Sequence, residues 1–409
     1  MQQPILNAPG PASVRFGAAL DPEEIRALKR LTIYAFLVRV VVILVLEFTG
    51  YSRQLAPDEE TFDALGWYLS LYWSDQVLSP PTKLLAGGIS AAYIHINAFF
   101  FYLFGHTAIP VKLVNGVLGV VAGRYLYLVA RALLGKAPAL TATTLFLFFP
   151  SLVLWSSVNI RDAWVIFLIL FISWKAWLLL DKYSLARLFQ FVVALFLLTE
   201  FRDHLFYAVA APPVVALLIG RRTSLARNLM LAFVVSAGVL MLLQQGVIDD
   251  RTQSRMNLEA INEMRLQASG ASAYAQDADI STPIGAITFL PLGLAYFFFS
   301  PFPWQITSFL KLISVPEMLL VYYLVLPTVR GLRYIISNRM REALQILMVA
   351  GLLTLTYTLG EGNAGTLYRH RAQAIPFYLI FAAAGMELRE AAKKRREQAR
   401  APHLRPART

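Results

Sequence analysis

Three consecutive carboxylates, Asp58, Glu59 and Glu60, follow the first long apolar stretch of the chain. A carboxylate beside a substrate hydroxyl can take its proton and so act as a general base. Apolar and aromatic residues then recur at helical spacing from Phe62 to Trp73, which predicts an amphipathic helix lying along a membrane surface. We therefore expect an acidic group at the bilayer boundary, with Asp58 as the candidate base and Glu59 as a possible substitute.

A structural role competes with this catalytic one. An aspartate that precedes a helix often caps it, and acids in the first turn are favoured by the helix dipole. Asp58 could therefore be the N-cap of the surface helix, with Glu59 and Glu60 in its first turn. The two roles do not exclude each other.

A second group of charged residues lies at the ends of apolar runs, where charge is costly unless it is paired or hydrated. Arginine suits this position at an anion site because its planar fork binds phosphate through two hydrogen bonds. Exposed ion pairs that only anchor helix ends are the competing interpretation. The candidates for binding a phosphate are Lys83, Arg161, Arg202, His204, Arg369 and Arg371, with Asp162 as a further candidate acid.

The composition shows what must position these groups. The 409 residues are 57% hydrophobic and 15% charged, with a mean hydropathy of +0.56, which indicates a polytopic membrane protein of all-α class. Runs of about 20 apolar residues are long enough to cross a bilayer. About ten spans are predicted, at residues 31–48, 110–132, 137–157, 163–181, 184–199, 205–220, 228–246, 312–331, 343–360 and 372–388.

The net charge of +12 comes mainly from short loops between apolar runs and from the end of the chain, so it does not indicate nucleic-acid binding. If the spans alternate, these basic loops fall on one side, which the positive-inside rule makes cytoplasmic. Both termini are then cytoplasmic and the candidate residues face outwards. The chain contains no cysteine, which excludes thiol nucleophiles and thiolate metal sites.

The predicted organisation has three parts. Residues 1–30 form a cytoplasmic lead-in, residues 31–388 form the transmembrane domain, and residues 389–409 form a basic cytoplasmic tail. Within the domain, residues 49–110 form an outer catalytic loop with surface helices, and residues 244–311 form an outer loop with a juxtamembrane helix. The apolar stretches 84–104 and 285–304 are interpreted as such outer-face helices, since the second is broken by prolines.

Motifs for soluble nucleotides or dinucleotides are absent from the sequence, as are the common hydrolase signatures. Acidic residues at a phosphate site can bind Mg²⁺, but no cage of oxygen ligands can be recognised from the spacing. The sequence therefore leaves open whether Mg²⁺ is a cofactor, and no metal ligands are assigned.

The order of several segments resembles the GT-C glycosyltransferases, most closely family 39-type enzymes such as protein mannosyltransferases and lipid A aminoarabinose transferases. The similarity covers residues 31 to about 220 and is looser beyond. The chain lacks the large soluble C-terminal domain of several GT-C members. The segments are Pro57-Asp58-Glu59-Glu60, Ser79 to Lys83, the aromatic stretch that ends at Gly105, and Phe149-Pro150-Ser151 through to Arg161-Asp162.

This resemblance implies transfer of a sugar from a polyprenyl-phosphate or polyprenyl-diphosphate donor to a glycan, lipid or protein acceptor. The reaction would take place on the extracytoplasmic face of a bacterial inner membrane, with Asp58 as the base and the basic residues on the donor phosphate. An O-antigen-type polymerase or ligase is the first alternative, because it also handles lipid-linked glycans through outer arginines and a histidine. A transporter of an anionic lipid or solute is the second alternative.

Overall fold

A computed structural model describes residues 19–81, 90–219, 257–267, 272–306 and 312–400. These residues form helices and contain no strand, and several helices could span a membrane, which confirms the prediction of an all-α chain with apolar helices of that kind. The helices are α1 (Pro22–Thr49), α2 (Ser52–Leu55), α3 (Asp58–Trp73), α4 (Ala91–Phe104), α5 (Ile109–Leu134), α6 (Lys136–Phe148), α7 (Pro150–Trp155), α8 (Asp162–Asp181), α9 (Leu185–Arg202), α10 (Phe206–Ile219), α11 (Leu258–Gln267), α12 (Pro283–Phe299), α13 (Val315–Gly360), α14 (Ala364–Arg371) and α15 (Ile375–Arg400).

In the described part of the chain, four helices are long and apolar enough to cross a membrane: α1, α5, α8 and α13. The count of ten spans remains a prediction, and the span at 228–246 lies outside the described residues. The apolar stretches interpreted as outer-face helices correspond to α4 and α12. Helix α4 packs along α3, where the lack of a side chain at Gly66 brings it against Asn97 and Phe101.

Helix α1 begins nine residues before the predicted span and includes the end of the expected lead-in. Asp21 and Glu24 form a capping box, and Pro22 occupies the first turn, where its missing N–H costs nothing. Glu24 is fully buried and accepts hydrogen bonds from Tyr127 at 2.5 Å and Arg131 at 2.5 Å, both near the end of α5. The start of α1 therefore lies beside the end of α5.

At the other end of the same pair, Lys112 near the start of α5 donates to Glu47 near the end of α1, at 2.8 Å. The two helices are therefore antiparallel. We call the end that holds Glu47 the site end and the end that holds Glu24 the opposite end.

The predicted span 137–157 is divided between α6 and α7 because Pro150 has no N–H and begins a new helix. The interruption frees polar backbone groups for tertiary contacts. The carbonyl of Leu147 accepts from the buried Arg39 of α1 at 2.9 Å, and the N–H of Ser151 donates to Glu317 of α13 at 2.7 Å. One proline thus connects α6 and α7 to two distant helices.

The two spans predicted at 312–331 and 343–360 both fall on α13, which has 46 residues and begins three residues after the start of the first span. A straight helix of that length would measure about 70 Å, more than twice the thickness of a bilayer core. Arg339 has φ −137° and ψ 21°, which are not helical values. The helix is therefore interrupted at that residue.

Contacts with α14 and α15 show that the chain reverses near Arg339. The first half of α13 runs parallel to its partners, so that residue numbers rise together in the contacting pairs. The second half runs antiparallel to them. The pairs are Glu317 with Arg371, Gly331 with Gly385, and Tyr357 with Gln373. The two halves of α13 thus form a hairpin that packs against α15.

Gly331 and Gly385 allow the close approach of α13 to α15. A Cβ at Gly331 would overlap the carbonyl oxygen of Phe381, and one at Gly385 would overlap that of Pro327. We expect Gly331→Ala and Gly385→Ala each to lower stability by about 1–3 kcal/mol, because backbone must move to admit the methyl group. Thermal unfolding of the purified protein in detergent measures the effect.

Gly351→Ala is the matched control. Gly351 lies in the second half of α13, and a Cβ there meets nothing within 4 Å. Alanine is the better helix former by up to about 1 kcal/mol, so this variant should unfold at the wild-type temperature or above. Equal tolerance of all three substitutions would contradict the close packing of α13 on α15.

Candidate functional site

Asp162 is the centre of a cluster of charged residues at the site end. It is the first residue of α8, and its side chain is 0% exposed. Arg369 donates to its Oδ2 from Nε at 2.9 Å and from Nη2 at 2.6 Å. Arg202 at 3.4 Å and Gln373 at 3.1 Å donate to its Oδ1. Both oxygens are therefore occupied, and Asp162 holds two arginines in place.

Arg369 links this buried aspartate to an exposed one. Its Nη1 donates to Asp58 Oδ2 at 2.6 Å, and the Asp58 side chain is 59% exposed. Burial by itself would lower the pKa of Arg369, but the charges of Asp162 and Asp58 outweigh burial and raise it. The guanidinium is therefore a permanent cation that orients the Asp58 carboxylate.

Asp58 does not cap its helix. Helix α3 begins at Asp58 itself, Pro57 occupies the N-cap position, and no side chain makes a capping hydrogen bond. Among the described residues, the only hydrogen bond of the Asp58 carboxylate is the one from Arg369 to Oδ2. Its Oδ1 is free to accept a proton from solvent or from a substrate.

Arg161 is the cation of the cluster that has no partner. In the described part of the chain its guanidinium makes no hydrogen bond and no ion pair, and its Nε is buried. It is close enough for its charge to interact with those of Arg202, Asp162, Arg369 and Asp58. Burial lowers the pKa of Arg161 to about 10, so it stays positive at neutral pH. An unpaired, partly buried cation is a site for an anion.

The loop that carries Arg161, residues 156–161, is held by α3 and α5. Asn115 of α5 donates to the carbonyls of Val158 at 2.8 Å and Ile160 at 3.1 Å. Glu59 of α3 accepts from the backbone N–H of Asn159 at 3.1 Å. These bonds fix the loop next to Asp58.

The Glu59 carboxylate is engaged by residues that it holds in place. Lys112 donates to its Oε1 at 2.6 Å, and Ser52 donates to its Oε2. The side chain is 4% exposed, and it also lines a cavity of about 450 Å³ next to Lys112. Glu59 therefore lies beside Asp58 in the sequence but in a separate ion pair in space.

His370 connects the cluster to Glu361. Arg202 Nη2 and His370 Nε2 are 2.7 Å apart, and the other ring nitrogen, Nδ1, pairs with Glu361. A guanidinium can only donate, so Nε2 accepts and Nδ1 carries the proton. Burial, together with the charge of Arg202, lowers the pKa of His370 to about 4. The imidazole is therefore neutral at pH 7.

This neutral histidine should make the protein sensitive to acid. The ordinary pKa of 6.5 applies to His370 in the unfolded chain, against about 4 in the fold. The unfolded state therefore binds more protons between these values, and stability should fall by roughly 1–3 kcal/mol as the pH drops from 6.5 to 4. Unfolding temperatures measured across this range test the expectation.

His370→Gln is the comparison variant, since it removes the titrating group and keeps a polar side chain. Its stability should depend less steeply on pH over the same interval. His204 also has a lowered pKa because of burial, so some slope should remain. A wild-type slope in His370→Gln would show that His370 does not titrate as proposed.

Arg371 belongs to a different set of contacts. It is 1% exposed, pairs with Glu317 at 2.9 Å, and donates to the carbonyls of Phe298 and Ser300 at 2.9 Å each. Residues two apart on a helix do not face the same side, which separates Arg371 from Arg369. Its guanidinium holds the end of α12 against the start of α13.

The structure brings five of the predicted residues together. His204 is near enough for the charges of Arg202 and Arg161 to act on it, but its polar contacts are with Asp203, and it lines a cavity of about 670 Å³ together with Tyr357 and Glu361. Glu59 and Arg371 lie in their own ion pairs, and Lys83 lies outside the described residues. The five residues of what we call the ion cluster are Asp58, Arg161, Asp162, Arg202 and Arg369.

Several partners in this arrangement were not among the sequence-based candidates. Lys112 and Glu317 are buried counter-ions, and a charge inside or at the end of an apolar run could have marked both. Glu361 directly follows the apolar run 343–360 and so carries the same signal, whereas Gln373 has none, because neutral amides are common at helix ends. Their contacts depend on the packing of α13 against α15.

The ion cluster can bind an anion beside a free carboxylate oxygen. Its three arginines exceed its two aspartates by one positive charge, and Arg161 is the cation left over. Within the described ranges, no group of three or more His, Asp or Glu side chains is arranged to hold a metal ion. The geometry thus favours an anion held by arginine, and the question of Mg²⁺ stays open.

Comparison with protein-family models found no match to this chain, and a search of curated proteins found no significant match. What the protein does must therefore be inferred from the ion cluster and the cavities around it. The feature that any function has to explain is an arginine with no partner among the described residues, Arg161, close to an exposed aspartate, Asp58.

Proposed function

We propose that this protein is a membrane glycosyltransferase. It moves a sugar from a polyprenyl-phosphate or polyprenyl-diphosphate donor to an acceptor on the extracytoplasmic face of a bacterial inner membrane. The observation that carries the proposal is the position of Arg161, a cation without a partner among the described residues. It lies in a cluster with Asp58, whose exposed carboxylate has an oxygen that no described residue engages.

In this mechanism the donor phosphate binds to Arg161, and the charge of Arg369 acts on it from close by. The bond between the anomeric carbon and the phosphate oxygen breaks, and negative charge grows on the leaving phosphate. Fixed cations stabilise that charge without reorganising, which is where preorganised electrostatics contribute most to a rate. Asp162 keeps both Arg202 and Arg369 in place throughout.

Asp58 acts as the base. Its free Oδ1 takes the proton from an acceptor hydroxyl while that oxygen attacks the anomeric carbon. The new glycosidic bond forms as the bond to phosphate breaks, with inversion when the donor is a β-linked phosphate. The hydrogen bond from Arg369 to Oδ2 directs the carboxylate without blocking the oxygen that reacts.

The cavity of about 670 Å³ offers a place for the isoprenoid chain of the donor. Its wall is mostly apolar, and it meets polar groups at His204 and Glu361. Glu361 is joined to the ion cluster through His370 and Arg202. A lipid whose tail lies in this cavity would present its phosphate towards the arginines. The apolar and aromatic residues are Tyr207, Ala208, Ala211, Ile261, Met264, Leu352, Leu355, Tyr357 and Leu359.

The distribution of charge supports an extracytoplasmic reaction. Lys136 lies at the opposite end, where it pairs with Asp21 at 3.1 Å, and α15 runs from the ion cluster towards that end with its basic residues last. The positive-inside rule makes the opposite end cytoplasmic. The ion cluster then faces the periplasmic side, where lipid-linked donors are available and soluble nucleotide sugars are not.

An O-antigen-type polymerase or ligase is the competing function, and the pairing of His370 with Arg202 is the observation in its favour. However, both ring nitrogens of His370 are already engaged, so it has no free lone pair for a substrate. The acidic start of α3, directly after α1 and α2, supports the glycosyltransferase more strongly.

The proposal is tested with membrane vesicles of the source organism, which supply the natural acceptor, and a radiolabelled polyprenyl-phosphate-linked sugar. Added protein in proteoliposomes should move the label from donor to acceptor. Label that crosses the bilayer while it remains on the lipid would instead indicate a transporter.

Binding of polyprenyl phosphate to the purified protein gives a second readout. Arg161→Ala should weaken it at least about tenfold, as expected for the loss of a charge-assisted contact. Arg330→Ala is the control, since Arg330 is an exposed residue of α13. Equal binding by the two variants would exclude Arg161 from the donor site.

A further inference from the structure

A third cavity, of about 480 Å³, lies next to the ion cluster on the side of α7 and α14. Tyr368 lines it and directly precedes Arg369, and Gln54 lines it four residues before Asp58. Trp155, the last residue of α7, forms another part of its wall. The cavity therefore borders the segments that hold the exposed carboxylate and its arginine.

The chemistry of this wall differs from that of the other two cavities. None of the described residues that line it carries a charge, whereas His204 and Glu361 line the larger cavity and Lys112 and Glu59 line the smaller one. Aromatic rings, amides and hydroxyls line it instead. The aromatic and polar residues are Trp155, Trp304, Tyr368, Gln54, Gln305, Ser272 and Ser314. Apolar side chains complete the wall, namely those of Leu55, Leu154, Ala273, Pro301, Ile313 and Ala364.

Such a wall suits a neutral, hydroxyl-rich ligand. A sugar ring presents C–H groups on its faces, which pack on aromatic rings, and hydroxyls at its edge, which pair with amides. Gln54 lines the cavity and is exposed, so its amide is accessible to a ligand. The volume falls in the range of small-molecule sites, about 300–1,000 Å³.

Other acceptors fit less well. A lipid with a phosphate headgroup needs a cation in the wall, and a basic or acidic peptide needs a counter-charge, because an unpaired charge is costly away from water. The absence of charge among the described residues that line the cavity thus selects against phosphate-bearing lipids and charged peptides.

Two aromatic residues form the wall nearest the ion cluster. The rings of Trp155 and Tyr368 meet edge to face with centroids 6.1 Å apart, and Tyr368 is fixed by a hydrogen bond from its hydroxyl to Glu317 at 3.0 Å. Trp304, in contrast, is 73% exposed and stacks on Phe302 with centroids 4.8 Å apart. The cavity thus combines a rigid inner wall with an accessible outer ring.

We propose that this cavity binds the acceptor and that the acceptor is a neutral oligosaccharide rather than a charged lipid or a charged peptide. The inference rests on the proposed glycosyltransferase function, although binding of a saccharide to the cavity can be measured without a donor. A sugar hydroxyl held here lies on the side of the exposed Asp58.

The test is calorimetric titration of the purified full chain, without donor, with neutral pentasaccharides of glucose, mannose, galactose and N-acetylglucosamine. At least one should bind saturably. Trp304→Ala should weaken that binding by about tenfold, which corresponds to the loss of one aromatic packing contact. Trp73→Ala is the matched control, since Trp73 is an exposed tryptophan of α3 that does not line the cavity.

Two results would overturn the proposal. One is a failure of every pentasaccharide to bind a protein that still unfolds cooperatively. The other is equal binding by Trp304→Ala and wild type, which would make Trp304 a membrane-interface anchor of the kind tryptophan commonly provides.

Polyprenyl-phosphate binding distinguishes a failure of the acceptor proposal from a failure of the proposed transferase function. If pentasaccharides bind and polyprenyl phosphate does not, the cavity is a carbohydrate site and the transferase proposal falls. If polyprenyl phosphate binds and the label is transferred while no pentasaccharide binds, the transferase stands and its acceptor is of another class.

Discussion

Asp162→Ala is expected to lower the free energy of unfolding by about 3–5 kcal/mol, because it leaves buried guanidinium groups without their counter-ion. Arg369 and Arg202 both donate to this carboxylate, which is 0% exposed. Asp162→Asn should cost less, since the amide keeps the shape and one acceptor oxygen. Thermal unfolding in detergent, followed by circular dichroism, measures both variants.

Asp58→Ala is the matched control for this stability effect. Asp58 shares Arg369 with Asp162, but its side chain is 59% exposed, and exposed ion pairs contribute only about 0–1 kcal/mol. Its unfolding temperature should therefore stay near that of the wild type. A similar loss for Asp58→Ala and Asp162→Ala would contradict the assignment of Asp162 as the buried anchor.

Asp58→Asn is expected to lower turnover by roughly 10²–10⁴-fold, because the amide cannot take the acceptor proton. Size and polarity are kept, so stability and polyprenyl-phosphate binding should change little. The structure strengthens this expectation, since Asp58 makes no capping hydrogen bond whose loss could disturb α3. Transfer of label in the vesicle assay measures the rate.

Glu60→Gln provides the comparison for this catalytic effect. Glu60 is an exposed carboxylate in the same first turn of α3, so the substitution changes the local charge equally. It should leave turnover within a few-fold of wild type, as expected for a surface charge that takes no part in proton transfer. An Asp58→Asn protein that transfers sugar at the wild-type rate would remove Asp58 as the base.

Asp58 and Asp162 are equivalent by residue type, and sequence reasoning placed both among the candidate catalytic acids. Their environments separate them. Asp162 has both oxygens occupied at zero exposure, whereas Asp58 has one free oxygen in a solvent-accessible position. A catalytic base must be accessible to its substrate, and of these two aspartates only Asp58 is exposed.

Arg369 and Arg371 are likewise of the same residue type but have different partners. They are two residues apart and were predicted to share the donor phosphate. On the short helix α14 they point to different sides, so that one joins the aspartates while the other is used by Glu317 and backbone carbonyls. Only the partners supplied by α12 and α13 distinguish them.

The sequence by itself determined the helical class, the apolar segments and most of the charged residues of the ion cluster. These properties are local. Apolar periodicity, the breaks at prolines such as Pro150, and charge at the ends of apolar runs can be recognised within one or two turns of chain.

The tertiary structure alone decided which carboxylate oxygen and which arginine have no partner among the described residues. It also decided that α13 folds into a hairpin and packs against α15. The bond between Arg369 and Asp58 joins residues 311 positions apart, and that between Arg369 and Asp162 joins residues 207 apart. Contacts at such separations depend on how whole helices pack, through close approaches such as that of Gly331 to Gly385. Local residue patterns cannot specify them, because the energy of a buried charge is set by the partners that packing brings to it.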